Sequence, residues 1–288
     1  MRLAALVPWW GKIAAKIVLS RLPIPYSAWA SLGLFRLGAM DTPDYALRQF
    51  ERHHRLCAPP AGFVCLELGP GDALSSAVLS RAYGGSGAII SDVGRFASND
   101  INVYRLLADT ARARSLPAPD LSDVVSVEEM LAVCNARYLT RGLADLRTVP
   151  PASVDMCYSV SCLECIRADE FESVVQELAR ILKPGAVTTH WIDYEDHLDY
   201  SLNNLRFGRR MWESPLFAES GFYTNRLRHS DVVRAFSAAG FEVETLHTNQ
   251  WDQPPLSRHR LAPAFRGYDE ADLRTRQALI RGRLGLER

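Results

Sequence analysis

The chain has 288 residues, 48% of them hydrophobic and 23% charged, which is enough apolar material for one large domain or a core with a small cap. Lys and Arg together number 33, as do Asp and Glu, so the formal net charge is zero. A nucleic-acid binder would carry a basic excess to neutralise phosphates, so no nucleic-acid partner is expected. Six cysteines in a chain this long are too few for a disulfide scaffold, and reduced thiols in a cytoplasmic protein are expected.

Residues 1–60 read as a helical preface. Leu3, Leu6, Val7, Trp10, Ile13, Ala14, Ile17 and Val18 recur at helical spacing, with Lys12 and Lys16 off that stripe. Pro23 and Pro25 end this helix. No signal-peptide form and no membrane-spanning run is present. Residues 1–40 carry five basic residues and no acidic one. An amphipathic helix with Trp9, Trp10 and lysines has two readings: peripheral contact with an anionic membrane through residues 1–21, or a stripe packed on the core or over a site. The second is favoured. A further helix is expected over 43–56, with Asp41 or Thr42 as cap and Pro43 in its first turn.

Residues 61–192 read as an α/β core. Strands are expected at Phe63–Leu68, Ala88–Asp92, Arg137–Leu139, Val154–Val160 and Ala186–Ile192, with helices at 73–83, 126–135 and 168–182. Strand, helix and strand at this spacing imply parallel pairing. Residues 193–228 are long and irregular, as lids and binding loops are. Residues 229–288 complete the core: a helix at Ser230–Ala239, a strand at Phe241–Thr248, and an Arg-rich helix at 269–284 read as a solvated face or a homo-oligomer contact.

The main chemical signal is Glu67-Leu68-Gly69-Pro70-Gly71-Asp72-Ala73. Two glycines allow a tight turn, which delivers the chain to a helix N-terminus suited to an anion. A dinucleotide fingerprint needs a third glycine where Leu74 stands. Glu67, two residues before the first glycine, suits a cation. S-adenosylmethionine (SAM) carries an ammonium, a sulfonium and a carboxylate. Asp92, 25 residues after Glu67, ends the second strand and is placed to accept ribose hydroxyls. Asp145 is either an acceptor for an adenine amino group or a turn-capping aspartate.

At this point the chain resembles the class I SAM-dependent methyltransferases, in particular the broad type 11 methyltransferase family. Four blocks agree in order over about residues 60–192: Glu67–Asp72, Asp92, Ser153–Cys165 and Glu177–Gly185. The resemblance implies a Rossmann-like, mostly parallel, seven-stranded sheet with helices on both faces and SAM across the ends of the first two strands. It implies that Gly69, Pro70, Gly71 and Asp72 line the methionine end, that Asp92 takes the ribose, that Ala144 and Asp145 flank the adenine, and that Ser159 lies near the sulfonium. Ala73 stands where the family often has glycine, and Cys165 where it often has histidine.

Methyl transfer mainly needs acceptor, methyl and sulfur held in line. A hydroxyl acceptor also needs a base. His197 is the first candidate, followed by His190 and Asp193, all near the end of the fifth strand. Glu164, Tyr223, Asn225 and Arg226 are candidate substrate contacts. Asp193, Glu195 and His197 are too close in sequence to establish a metal site, and Cys157, Cys162 and Cys165 lack a further ligand, so no metal is expected.

The expected function is methylation of a small molecule on O or N. Arg outnumbers Lys thirty to three, which is associated with a high-GC bacterial source, and the stretches around 190–197 and 223–228 resemble enzymes of secondary or cell-surface metabolism. Other SAM chemistry, a non-catalytic SAM-binding or membrane-associated module, and a nicotinamide oxidoreductase are the alternatives.

Overall fold

The structure is a computed structural model that describes residues 7–21 and 39–286. Leu3, Leu6, Pro23 and Pro25 lie outside the described residues.

The expected βα order is present. Helix α1 (Trp9–Leu19) and α2 (Pro43–Cys57) precede β1 (Val64–Leu68), α3 (Ser75–Ala82) and β2 (Gly87–Ser91). Then come α4 (Ile101–Ala113), α5 (Val127–Val133), β3 (Ala136–Leu139), the short α6 (Leu143–Leu146) and β4 (Val154–Val160). Helix α7 (Phe171–Ile181) leads into β5 (Leu182–Asp193). Single turns α8 (Arg209–Trp212) and α9 (Pro215–Ala218) precede α10 (His229–Ala238), β6 (Phe241–Gln250), α11 (Glu270–Arg274) and β7 (Thr275–Leu284).

The strands form one seven-stranded sheet in the order β3-β2-β1-β4-β5-β7-β6. Neighbours from β3 to β5 pair parallel, and β7 runs antiparallel between β5 and β6. One face buries Phe50, Leu74, Val78, Tyr104 and Met130 under the helices α2 to α5. The other buries Leu66, Phe171, Leu178 and Phe236 under α7 and α10. Parallel strands covered on both faces explain why β1, β2 and β4 are nearly continuous apolar runs.

Three elements differ from the sequence reading. The expected terminal helix over 269–284 is helical only at Glu270–Arg274, and Thr275–Leu284 is the seventh strand. Ala278, Leu279 and Ile280 are buried between two partner strands. Arg276 and Arg281 turn aside to ion pairs with Glu195 and Glu244. A ladder on both sides outweighs the helix propensity of Arg, Leu and Gln. Helix α4 was not expected at all, yet it carries a real cap: Asp100 accepts the Asn102 N–H at 3.0 Å. Tyr104, Leu107, Ala108 and Ala111 form its buried stripe. Finally, β5 already begins at Leu182, so Pro184 and Gly185 belong to the strand instead of the turn before it.

The segment between β5 and α10 is not an open loop. Leu198, Trp212, Phe217, Phe222 and Tyr223 form a cluster that also takes Ile13 of α1. Trp9 packs edge-on against Phe207. Lys12 Nζ donates to Leu198 O and Asp199 Oδ1, each at 2.9 Å, and Lys16 Nζ donates to Gly221 O. The stripe and both lysines of α1 thus face this segment, which leaves Trp10 and Val18 exposed. No helix among the described residues is long and apolar enough to cross a membrane.

Candidate functional site

The carboxyl ends of β1, β2 and β4 lie side by side, with Leu68 opposite both Ser91 and Ser159. Open α/β sheets bind ligands at this edge. A cavity of about 310 Å³ opens here, lined by Gly69, Asp92, Gly142, Leu143, Cys162 and Cys165 among others. That volume is within the roughly 300–1,000 Å³ of ligand pockets.

Gly69 and Gly71 both hold positive φ, +65° and +66°. The turn places Gly69 directly against Cys162 on the loop after β4. Glu67, two residues earlier, is 2% exposed. Burial pushes its carboxyl up to about 7, with Asp92 adding to the rise and the Ser76 and Tyr158 hydroxyls opposing it. Glu67 Oε2, Ser76 Oγ and Tyr158 Oη are all buried without a full hydrogen bond. A buried carboxylate oxygen without a partner at full hydrogen-bond geometry, behind a glycine turn, fits a cationic donor such as the SAM ammonium.

Asp92 follows β2. Its backbone bonds Leu139 O and Gly142 N, and its Oδ1 accepts the Val93 N–H at 2.7 Å. Burial pushes its carboxyl up to about 6. It faces the same cavity as Gly69, so the turn and the strand-end carboxylate share one cleft. Gly142 and Leu143 line the cavity beside it, and Ala144 lines an adjoining hollow.

Several expected contacts are placed elsewhere. Asp145 Oδ2 accepts the N–H groups of Thr140 and Arg141, and its Oδ1 accepts Arg141 Nε, so both oxygens close their own turn. Ser159 is fully buried and bonds His190 Nδ1 at 2.7 Å instead of facing the cavity. His190 is a core residue: Nε2 bonds Thr188 Oγ1 at 2.6 Å, and burial pushes its pKa down to about 3. It has no open nitrogen for base chemistry. Arg226, with φ +64°, donates to Phe207 O and pairs with Glu213, which makes it a brace within the segment between β5 and α10. Tyr223 lends its ring to the cavity wall, while its hydroxyl donates to Glu213 and accepts from the Ala168 N–H.

The remaining candidates converge. A 3-10 turn, Leu163–Cys165, follows β4 and is held from outside by Asn225. Asn225 N donates to Glu164 O at 2.7 Å, and its Nδ2 donates to Leu163 O at 2.8 Å. Glu164 is 3% exposed and neither carboxylate oxygen has a partner at full hydrogen-bond geometry. Burial, reinforced by Asp193, pushes its carboxyl well above the usual range. One donor atom each from Glu164, Cys165 and His197 lies within 4.8 Å of the others. Burial holds the His197 pKa below the ordinary value, with Asp193 opposing. Asp193 accepts Gln277 Nε2, and Glu195 is bound to Arg276. The sequence analysis set Asp193, Glu195 and His197 aside as too close in sequence to establish a metal site, and it did not bring His197 together with Glu164 and Cys165. Cys165 was set aside as a mere departure from a family histidine.

Residues 113–189 match the family model described as a methyltransferase domain. Over those residues the chain carries a methyltransferase domain. It is an enzyme, and its cofactor is SAM. No curated protein matches it. Among solved structures it is similar to an O-methyltransferase family protein from Burkholderia thailandensis, at 12% identity over 87% of this chain and 58% of that one, TM-score 0.46. It is also similar to a SAM-dependent methyltransferase from Mesorhizobium loti, at 15% identity over 82% and 97%, TM-score 0.43. A third is phosphoethanolamine N-methyltransferase 2 from Haemonchus contortus, at 13% identity over 83% and 52%, TM-score 0.46.

Proposed function

We propose that this methyltransferase acts on O or N of a small-molecule acceptor, with the cofactor along Gly69, Asp92 and Leu143 and the acceptor beside Glu164, Cys165 and His197. SAM, when bound, supplies a methyl group on a positively charged sulfur. Glu67 and the Gly69–Asp72 turn hold its methionine end, and Asp92 holds its ribose. One observation carries the reading: a single cavity is walled by Gly69, Asp92 and Cys165, and Cys165 neighbours Glu164 and His197 at its end.

Residues 61–192 hold the cofactor, while 193–228, backed by α1, close the acceptor end. Zero net charge favours a small acceptor over a nucleic acid. An acceptor from bacterial secondary or cell-surface metabolism fits such a site, and a cytoplasmic setting fits six free cysteines. His197, held neutral by burial, offers a lone pair to the acceptor.

Calorimetry with SAM and S-adenosylhomocysteine tests the pocket. Failure of folded protein to bind either would overturn the reading. Product analysis then tests the chemistry: S-adenosylhomocysteine marks methyl transfer, whereas methylthioadenosine would mark attack on the aminobutyryl chain and refute it.

A further inference from the structure

We infer that Glu164, Cys165 and His197 bind a divalent transition-metal ion of the zinc type at the acceptor end of the cavity. The residues come from two adjacent parallel strands. Glu164 and Cys165 follow β4, His197 follows β5, and the register Ser159↔His190 carries both chain ends to the same edge of the sheet. Their donor atoms already lie within 4.8 Å of one another. Ligands at 2.0–2.3 Å from a tetrahedral zinc stand roughly 3.5 Å apart, so side-chain movements of about 1 Å close the site.

The Glu164 carboxylate supplies an independent observation. It is 3% exposed, neither oxygen has a partner at full hydrogen-bond geometry, and it reaches into this cluster. Only the backbone N–H groups of Glu164 and Asp193 ease its charge, and a buried carboxylate so weakly compensated is costly to fold around. Asn225 fixes the backbone of the turn and leaves the carboxylate free to face the other two ligands.

The donor set selects the ion. Magnesium and calcium prefer all-oxygen shells, whereas a thiolate with an imidazole and a carboxylate suits zinc or cobalt. Three protein donors are the number found in zinc sites that keep one position open. Cys165 lines the cofactor cavity, so the open position faces it. Binding replaces the Cys165 S–H bond with a sulfur–metal bond and releases that proton to solvent. The role of the ion rests on the acceptor placement above: it holds the acceptor heteroatom, and the His197 lone pair is then used in holding the ion. Ion binding itself requires no SAM.

The test is titration of chelator-treated, full-length protein with Co²⁺, read as a thiolate-to-cobalt charge-transfer band, followed by displacement with Zn²⁺. One ion per chain is expected, with release of the Cys165 thiol proton and of any proton the Glu164 carboxyl holds at the working pH. Cys165→Ala should abolish the band, and Glu164→Gln and His197→Ala should each weaken binding at least 10–100-fold, the range seen even for outer-shell partners. His259→Ala, on the surface, should change nothing. Thermal unfolding of each variant checks that it is folded. No stoichiometric binding by folded wild type overturns the inference, as does a band that survives Cys165→Ala. SAM calorimetry on the same samples separates the two proposals, because metal binding without SAM binding would sink only the cofactor reading.

Discussion

Gly69 and Cys162 touch so closely that a Cβ on residue 69 would lie 2.5 Å from Cys162 Sγ. The contact joins the turn after β1 to the loop after β4, the two segments that flank the cavity. Gly69→Ala adds this clash to a left-handed backbone at φ +65°, which costs about 1–3 kcal/mol for a residue with a side chain. Thermal unfolding should show that loss, and SAM affinity should fall with it. Adding Cys162→Ala should recover only part of the stability, because it removes the Sγ contact and leaves the residue 162 Cβ 2.7 Å away. A Gly69→Ala protein as stable as wild type would contradict the close approach.

Glu67→Gln should separate stability from binding. The folded carboxyl titrates near 7, against an ordinary value of 4.5. Between those values the folded state holds more protons than the unfolded one, so this group makes stability fall as pH rises. Above pH 7 the accumulated penalty is about 3 kcal/mol. Denaturant unfolding at pH 8 should find the cofactor-free glutamine variant more stable, while calorimetry finds its SAM affinity reduced. Equal or lower stability would refute the idea that Glu67 is kept for a cation at a cost to the fold.

The turn at Gly69 and Gly71 and the strand-end places of Glu67 and Asp92 were legible in sequence because each meets a local demand: a tight turn, or the end of an apolar run. The strands β1, β2 and β4 were equally plain, as runs buried on both faces. What sequence obscured was set by distant partners. Thr275–Leu284 becomes a strand only because β5 and β6 flank it. His190 is two positions from Thr188 in sequence, but its burial depends on Ser159 and Phe236 from other elements. Glu164 and His197 are 33 residues apart, and nothing local announces their meeting. Helix α4 is the exception, since its Asp100 cap and apolar spacing were available and were passed over.

As the proposed ribose acceptor, Asp92 should make SAM affinity depend on pH. Its carboxyl in the free protein titrates near 6, so below that pH it is protonated and loses the charge that accepts ribose hydroxyls most strongly. Affinity should therefore fall as pH drops from 7.5 to 5, with proton uptake on release of the ligand. Asp92→Asn should bind more weakly at pH 7.5, by roughly 10-fold for one lost charge-assisted hydrogen bond, and should show a flatter profile. Calorimetry in two buffers of different ionisation enthalpy checks both. A wild-type profile unchanged by Asp92→Asn would remove Asp92 from the ribose site.

His190 and His197 should fail in opposite ways. His190 is fully buried, with its two nitrogens bound to Ser159 and Thr188. His190→Ala opens a core cavity and strands two hydroxyls, at a cost of about 2–4 kcal/mol. Its folded pKa near 3 lies below the ordinary 6.5, so the unfolded state binds the extra proton. Its contribution is full above pH 6.5 and is lost as pH falls towards 3. The variant should be less stable at pH 7.5, and part of the wild-type stability loss on acidification should vanish with it. His197→Ala should leave stability within about 1 kcal/mol, because this side chain is only half-buried and belongs to no core cluster. Its effect should fall on turnover, by about 100-fold or more, with SAM affinity little changed. Unfolding curves, SAM titration and single-turnover rates on the two variants distinguish these outcomes. A destabilised His197→Ala with normal turnover would return that histidine to a purely structural place in the lid.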